Sequence, residues 1–428
     1  MRFALPAILK TRRFLPLFLT QFLGAFNDNV FKNALVILIT YRLAQQTGEN
    51  AQILVTLAAA LFILPFLLFS AMAGQLADKY DRAKLARITK LAEIVLMITA
   101  ALGFYINQTY FLLFVLFCAG MQATFFGPIK YALLPQHLHD DELISGNAYI
   151  EAGTFLAILI GTILGGVLIM SESGTHLIAA AIIGCALLGY KCSRHIPPAP
   201  APMPALKINW NMVQETWRMI QADRKNAKVF LCILGISWFW FVGATFLSQF
   251  SSFAKDILHA DESVVTLLLT VFSVGIGIGS FLCNVLLKGQ IRSTYVPPAA
   301  IGITLFTVDL FFASKAMPFN ISDAWIGVSQ FLAVAANWRI LFDLTMIAVC
   351  GGIYIVPLYA IVQHDSDPNS RARTIASNNV VNAIFMVISA IGTMLMLKAS
   401  FSIPHVFLIT GILNGFVALY TLQLKRIV

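Results

Sequence analysis

The sequence predicts an all-α membrane protein, with twelve transmembrane helices arranged as two six-helix pseudo-symmetric bundles. Three observations carry that expectation. Composition is the first: 59% of the 428 residues are hydrophobic and 11% charged, and the mean hydropathy is +0.81, whereas a soluble domain carries about 25% charged residues. The second is the recurrence of apolar runs near the ~20 residues that cross a bilayer, at 14–41, 52–76, 86–106, 109–134, 146–169, 174–192, 229–254, 264–287, 295–314, 339–362, 375–397 and 403–424. The third is a Pro-rich and amphipathic break at 193–228, which leaves six spans in 1–192 and six in 229–428.

The first span carries the densest chemistry. Asn27, Asp28 and Asn29 sit in the middle of an apolar helix, with Lys32 one turn further on. A charge near the bilayer centre costs at least ~2.5 kcal/mol, so such residues face protein or water and are functional candidates. Asp28 and Lys32 are i, i+4 and share a face, so mutual neutralisation is expected. The first apolar run is long and lacks a small-residue cleavage site, so it reads as a span and not a cleavable signal.

Charge distribution sets the expected orientation. Arg42, Lys255, Lys315, Arg339 and Lys398 fall on one side. The remaining basic residues, Lys32 and Lys130 within spans apart, fall on the other, with Lys79, Arg82, Lys84, Arg87 and Lys90 grouped around the loop between spans 2 and 3. That asymmetry places both termini in the cytoplasm. It also accounts for the net charge of +9, so no nucleic-acid partner is expected. The six cysteines form no CxxC pair, which suggests neither a metal site nor a disulfide framework. No cofactor is expected.

Span 2 ends in GQLADKYDRAKLAR, 74–87. Gly74 allows close helix contact, Asp78 lies at the end of the span, and a basic cluster follows. Spans 4 and 5 hold the second dense stretch. Gln122, Asn147 and Thr154 supply hydrogen-bonding groups, and Lys130 and Glu151 lie at similar depth, where they could pair. Gly161, Gly165 and Gly166 permit backbones to approach; Pro128 and Pro135 are expected to bend or end span 4. In the linker, PPAPAPMP is a spacer, followed by an amphipathic surface helix with Trp210, Val213, Trp217 and Ile220 on one face.

In span 7, Trp238, Phe239, Trp240 and Phe241 take the place that FNDN takes in span 1. Asp323–Asn337 is too short to span and reads as a surface helix; Arg339 and Asp343, i and i+4, are expected to pair. NAYIEAGTFLAILIGT (147–162) and NNVVNAIFMVISAIGT (378–393) look related: Asn147 aligns with Asn378, Glu151 with Asn382, and Gly161-Thr162 with Gly392-Thr393. This fits parallel repeats with a site at their interface near the midplane, to which Asn378, Asn379 and Asn382 would contribute.

The span 2–3 loop resembles the signature of the major facilitator superfamily, G-x-x-x-D-R/K-x-G-R/K-R/K. Gly74, Asp78, Lys79 and Arg82 fit, Asp81 replaces the second glycine, and the last basic position slips from Ala83 to Lys84. Together with FNDNVFKNAL (26–35), FFGPIKYALLPQHL (125–138), GGIYIVPLYAIVQ (351–363) and RARTIASNNVVNAIFM (371–386), the chain resembles the bacterial lysophospholipid transporter (LplT) family. It is also similar to the transporter module fused to an acyltransferase and an acyl–carrier-protein synthetase. The resemblance implies transport of lysophosphatidylethanolamine and related lysolipids from the outer to the inner leaflet of the bacterial inner membrane, with a membrane-associated acyltransferase/acyl-ACP synthetase as partner. It implies a latch of Gly74, Asp78, Arg82 and Lys84 that closes the cytoplasmic side, and transport roles for Asp28, Lys130 and Glu151.

That substrate would need a cation for phosphate (Lys130), an anion for ammonium (Asp28 with Asn29) and an apolar face for the chain (Trp238 to Phe241). The alternatives are a proton-coupled exporter of an amphipathic drug or siderophore, with Asp28 or Glu151 carrying the proton, and a non-enzymatic anchor that docks an acyltransferase through 193–228. An enzyme is not expected: there is no nucleophile–base set, and none of the seven His stands in a His-x4-Asp acyltransferase signature.

Overall fold

The structure, a computed structural model, describes residues 8–43, 51–315 and 325–427. Among these, all regular elements are helical apart from one isolated bridge between Ala260 and Ile326. The helices are α1 (Leu15–Leu38), α2 (Ala51–Lys79), α3 (Arg82–Ile106), α4 (Thr109–His137), α5 (Asp140–Met170), α6 (Gly174–Ser193), α7 (Met212–Arg224), α8 (Ala227–Ser252), α9 (Glu262–Leu287), α10 (Val296–Lys315), α11 (Val328–Ala333), α12 (Ala335–Asp365), α13 (Arg371–Lys398) and α14 (Ile403–Ile427). Two of them run on into a π turn, α1 through Ile39–Leu43 and α8 through Phe253–Ile257.

Eleven of the described helices are long and apolar enough to cross a membrane. The remaining expected span is α3, whose first half carries Arg82, Lys84, Arg87, Lys90 and Glu93. Its ends are well defined: Asp81 caps the N-terminus by accepting from the Lys84 N–H at 2.9 Å, and Asn107 closes the C-terminus at φ 52°, the left-handed geometry that Asn tolerates. The chain is an all-α, multi-pass membrane protein.

Two compact units divide the fold. The first comprises Met1–Gly146, Leu156–Asn226 and Val362–Ala383; the second comprises Asn147–Phe155, Ala227–Ile361 and Ile384–Val428. In the first, α2 packs on α4, α3 on α4 and α6, and α1 on α6. Its apolar core runs through Val30, Phe31, Leu35, Phe104, Leu116 and Ile182, with Phe31 edge-on to Phe104 at 5.8 Å. Small residues set the closest approaches. A Cβ on Gly161 or Gly165 of α5 would stand 2.6 Å from the Phe26 or Val30 carbonyl oxygen of α1. In the second unit α14 packs on α10 and α8, Phe246 stacks on Phe407 at 4.4 Å, and Gly279 and Gly352 let α9 and α12 touch backbone to backbone.

Pro128 lies inside α4, and Pro135 stands two residues before its last residue, His137; bundle neighbours make the inner proline tolerable in a membrane helix. Two expectations change. Arg339 pairs with Asp309 of α10, through Nε to Oδ2 at 2.9 Å and Nη2 to Oδ1 at 2.5 Å, and not with Asp343. The fork of the guanidinium meets both carboxylate oxygens there, a geometry that outcompetes a single helical-face contact. Asp323 lies outside the described residues; beyond it the expected surface helix is the single short turn α11, whose Phe331 is buried while Trp325 and Trp338 are exposed.

The Pro-rich linker is built into the first unit. Ala199 accepts from the Arg82 N–H at 3.0 Å and donates to Asp81 Oδ2 at 3.3 Å. Pro200 accepts from Gln136 Nε2, and Asn209 exchanges two bonds with the Gln75 amide, at 2.7 and 3.1 Å. The α7 helix then turns Glu215, Met219 and Asp223 inward, and Met219 packs against Ala71 and Ala376.

Gly165→Ala places a methyl against the α1 backbone and should lower the unfolding temperature in detergent by the equivalent of ~1–3 kcal/mol of overpacking. Gly184→Ala, where nothing lies within 4 Å, should leave it unchanged or raise it, because Ala is the better helix former.

Candidate transport site

The polar centre of α1 holds hydrogen-bonded amides and, among the described residues, two groups left open: the Asn27 Oδ1 atom and the Asp28 carboxylate. Asn29 donates to the Ala25 carbonyl of its own helix at 2.7 Å, and Asn33 to the Thr162 carbonyl of α5 at 2.6 Å. Asn27 is fully buried and donates to Glu93 Oε1 at 3.0 Å. Asp28 is half-buried and, among the described residues, has neither an ion pair nor a hydrogen bond. The charges acting on it are those of Glu93, Lys90, Lys32 and Lys130.

Asp28 and Lys32 form no ion pair among the described residues, yet the charge of each acts on the other across the helix face they share. The Lys32 ammonium sits instead 5.5 Å from the centre of the Phe62 ring, an aromatic face that supplies electrostatic stabilisation without a carboxylate. Lys130, half-buried on α4, has its ammonium 4.6 Å from the Tyr131 ring centre.

Behind Asp28 lies a charge pair that spacing alone did not single out. Lys90 Nζ and Glu93 Oε2 of α3 are 2.5 Å apart and both side chains are buried. Glu93 also accepts from Asn27 and, at 3.2 Å, from Gln122 of α4, which bonds the Thr89 carbonyl as well. The ammonium of Lys90 lies 5.1 Å from the Phe126 ring, and Gly24 leaves the space that it fills. Lys90 therefore belongs inside the bundle, not with the basic loop cluster in which its sequence position places it. The usable signal was an i, i+3 acid–base pair flanked by apolar residues.

Residues from the second half of the chain complete the first unit. Asn378, Asn379 and Asn382 are all buried. Neither amide atom of Asn378 has a hydrogen-bond partner, nor does Asn379 Nδ2, which faces Gly127 of α4. Buried orphan amides are rare in native proteins.

Glu151 lies in the second unit and is fully buried. There too, Trp238 donates to Asn414 Oδ1 at 2.7 Å and stacks on Phe241 at 4.7 Å, and Trp240 donates to the Tyr359 hydroxyl at 3.1 Å and stacks on Phe155 at 6.1 Å. Their polar edges are occupied, which leaves partly exposed ring faces. Phe239 is buried against Gly351.

At the end of α2, Asp78 is completely buried and receives four hydrogen bonds. The donors are Arg82 Nη2 at 3.0 Å, Arg373 Nε at 3.0 Å, and the backbone N–H groups of Ala372 and Arg373 at 3.1 and 3.3 Å. The last two belong to the first turn of α13, whose N-terminus favours an anion. Gly74 sits one turn earlier, where a Cβ would stand 2.7 Å from Ala376 Cβ and 2.9 Å from Arg373 Cα. Arg82 also reaches the Ala77 carbonyl and Gln136 Oε1. Lys84 stands apart: its side chain is exposed, and its backbone N–H binds Asp81. The second cation on Asp78 is thus Arg373, which the signature of the loop does not contain.

The model of the Major Facilitator Superfamily matches residues 17–382. The protein named lysophospholipid transporter LplT of Serratia proteamaculans (strain 568) is 27% identical over 366 residues, covering 83% of this chain and 81% of its own. LplT of Escherichia coli O1:K1 / APEC is 27% identical over 350 residues, covering 80% and 78%. Among solved structures, the proton:xylose symporter XylE superposes with a TM-score of 0.69 at 14% identity, covering 96% of this chain and 94% of its own. The human organic anion transporter TETRAN superposes with 0.74 at 11% identity, covering 96% and 99%. These two likenesses are of fold.

Removing one member of the buried pair, by Glu93→Gln or Lys90→Met, leaves an uncompensated charge and should cost ~3–5 kcal/mol of stability. The double variant should recover most of it, which a double-mutant cycle on unfolding temperatures measures. A second outcome concerns α7. Burial pushes the Asp223 carboxyl up to about 6, against hydrogen bonds from Ser377 and Thr374 and the charge of Arg373. A raised folded-state value means that its contribution to stability is present below the ordinary carboxylate range and is lost as pH rises through about 6. Unfolding temperatures measured from pH 4 to 7 should show that decline in the wild type and a flatter profile in Asp223→Asn.

Proposed function

The chain belongs to the Major Facilitator Superfamily, and on that premise we propose that it moves lysophospholipids of the lysophosphatidylethanolamine type from the outer to the inner leaflet of the bacterial inner membrane by alternating access. Reacylation by a membrane-associated acyltransferase/acyl-ACP synthetase would follow, and both termini would lie in the cytoplasm. The similarity to proteins named as lysophospholipid transporters supports this substrate class. The observation that carries the reading is Asp28: a half-buried carboxylate in a membrane helix with no ion pair or hydrogen bond among the described residues.

An ammonium is the ligand that such a carboxylate lacks, and Lys130, whose charge acts on Asp28, is the cation for the phosphate. Asn27, Asn29, Lys32 and Gln122 would shape the headgroup region, with Asn378, Asn379 and Asn382 offering amides to the glycerol hydroxyl and ester. The second unit, taken by itself, would offer Glu151 as an anion and the ring faces of Trp238, Trp240 and Phe241 to an acyl chain. Asp78, held by Arg82 and by the first turn of α13, would keep the cytoplasmic side closed until substrate arrives; Gly74 would allow the close approach, and Lys84 would act only through the charge of the loop.

One observation supports a second reading, a proton-coupled exporter of an amphipathic drug or siderophore. Asp343 in α12 is buried and neither of its oxygens has a hydrogen-bond donor, and burying such a group as an anion is costly.

Purified protein in liposomes should translocate labelled lysophosphatidylethanolamine. Asp28→Ala and Lys130→Ala should each lower the rate at least ~10-fold, the scale of one lost charge-assisted contact. Normal transport by both variants would sink the assignment, and collapse of wild-type transport by a protonophore would favour the exporter.

A further inference from the structure

The α7 helix presents two faces of opposite character, and only the inner one is occupied. Its inner face holds every acidic residue of the segment 207–228: Glu215 and Asp223 are both buried. Its outer face holds Trp210, Val213 and Trp217, exposed at 77%, 83% and 58%. Around these stand Lys207, Arg218, Arg224 and Lys225, all exposed. The outer surface is therefore apolar and cationic with no exposed acid. At 13 residues, α7 is too short to cross a bilayer, yet only Lys225 and Asn226 separate it from the spanning helix α8. That connection fixes it at the level of the membrane surface.

We propose that α7 lies in the headgroup layer of an anionic leaflet, with Trp210, Val213 and Trp217 inserted among the acyl-chain ends and the basic residues against lipid phosphates, and that this contact steadies the Asp78 latch. Tryptophan favours that depth, and a helix with an apolar stripe flanked by Lys and Arg binds anionic membranes in this way. The inner face supplies the connection. Thr374 donates to Asp223 Oδ1 at 2.9 Å, Met219 packs on Ala376 and Ala71, and the preceding Asn209 is bonded to Gln75, all within one or two turns of Asp78 or of the α13 N–H groups that it accepts from. Lipid that holds α7 in place thereby holds the first turn of α13.

The full-length protein in nanodiscs tests this. Phosphatidylcholine brominated on its acyl chains should quench tryptophan fluorescence more strongly in the wild type than in Trp210→Tyr/Trp217→Tyr. An unchanged difference, with aqueous iodide quenching the two tryptophans instead, overturns membrane contact. Hydrogen exchange at 372–377 should be about fivefold slower in an equimolar phosphatidylcholine–phosphatidylglycerol disc than in phosphatidylcholine alone, the effect of one basic residue near an anionic surface. Arg218→Gln/Lys225→Gln, both at exposed positions, should abolish that difference. Equal exchange in the two lipids overturns the coupling. Neither readout uses lysolipid transport, so a failure here leaves the transport reading standing.

Discussion

A carboxylate sealed from water constrains the whole end of the first unit. An ion without solvent is costly, and the cost is offset only when donors with good geometry surround it. Asp78 draws its donors from two separated places: its near neighbour Arg82, and the first turn of α13, which supplies the Arg373 guanidinium and two backbone N–H groups. The Asp78 carbonyl in turn accepts from the Met203 N–H of the linker. None of these segments can move far without exposing or orphaning a charge, so α2, α3, α13 and the linker take their positions together. Gly74 follows from the same constraint, since a side chain there would hold α13 away from the donors it must deliver.

The contrast with Asp28 is one of hydrogen-bond satisfaction. Both carboxylates lie in helices of the first unit, and both were conspicuous in the sequence. One has every lone-pair direction answered, the other none. Fully answered networks specify a single arrangement, whereas an open carboxylate leaves its acceptor positions available. The Lys90–Glu93 pair lies beside Asp28: the Lys90 ammonium bonds Glu93, which also accepts from Asn27 and Gln122, so Lys90 acts on Asp28 through its charge and not through a hydrogen bond.

Helix boundaries, the helix-free linker start and the presence of Asn27, Asp28 and Asp78 as polar groups inside apolar helices were legible because hydropathy is a local property. Partner choice was not. Arg339 has Asp343 four residues away and pairs with Asp309 on another helix; Lys32 has Asp28 four residues away and turns to Phe62. Helical spacing says which groups are able to meet, and the neighbouring helices decide which do. Lys90 was hidden by its company, five basic residues within a dozen positions, only one of which faces Glu93. Arg373 was visible as a loop charge but not as a latch cation, because nothing in its vicinity announces that α2 ends beside it.

Composition is a poor guide to the linker's accessibility. A run reading PPAPAPMP suggests an open strand that a protease could grip. Here Ile196 and Ala199 are buried, and the carbonyls of Ile196, Ala199 and Pro200 are taken by Arg87, the Arg82 N–H and Gln136. Nicking favours exposed, loosely held chain, and pulling this stretch free would break the contacts around Asp78 at the same time. The segment that joins the two halves of the chain is thus held by the same contacts that surround Asp78, at the place where its sequence looks most open to nicking.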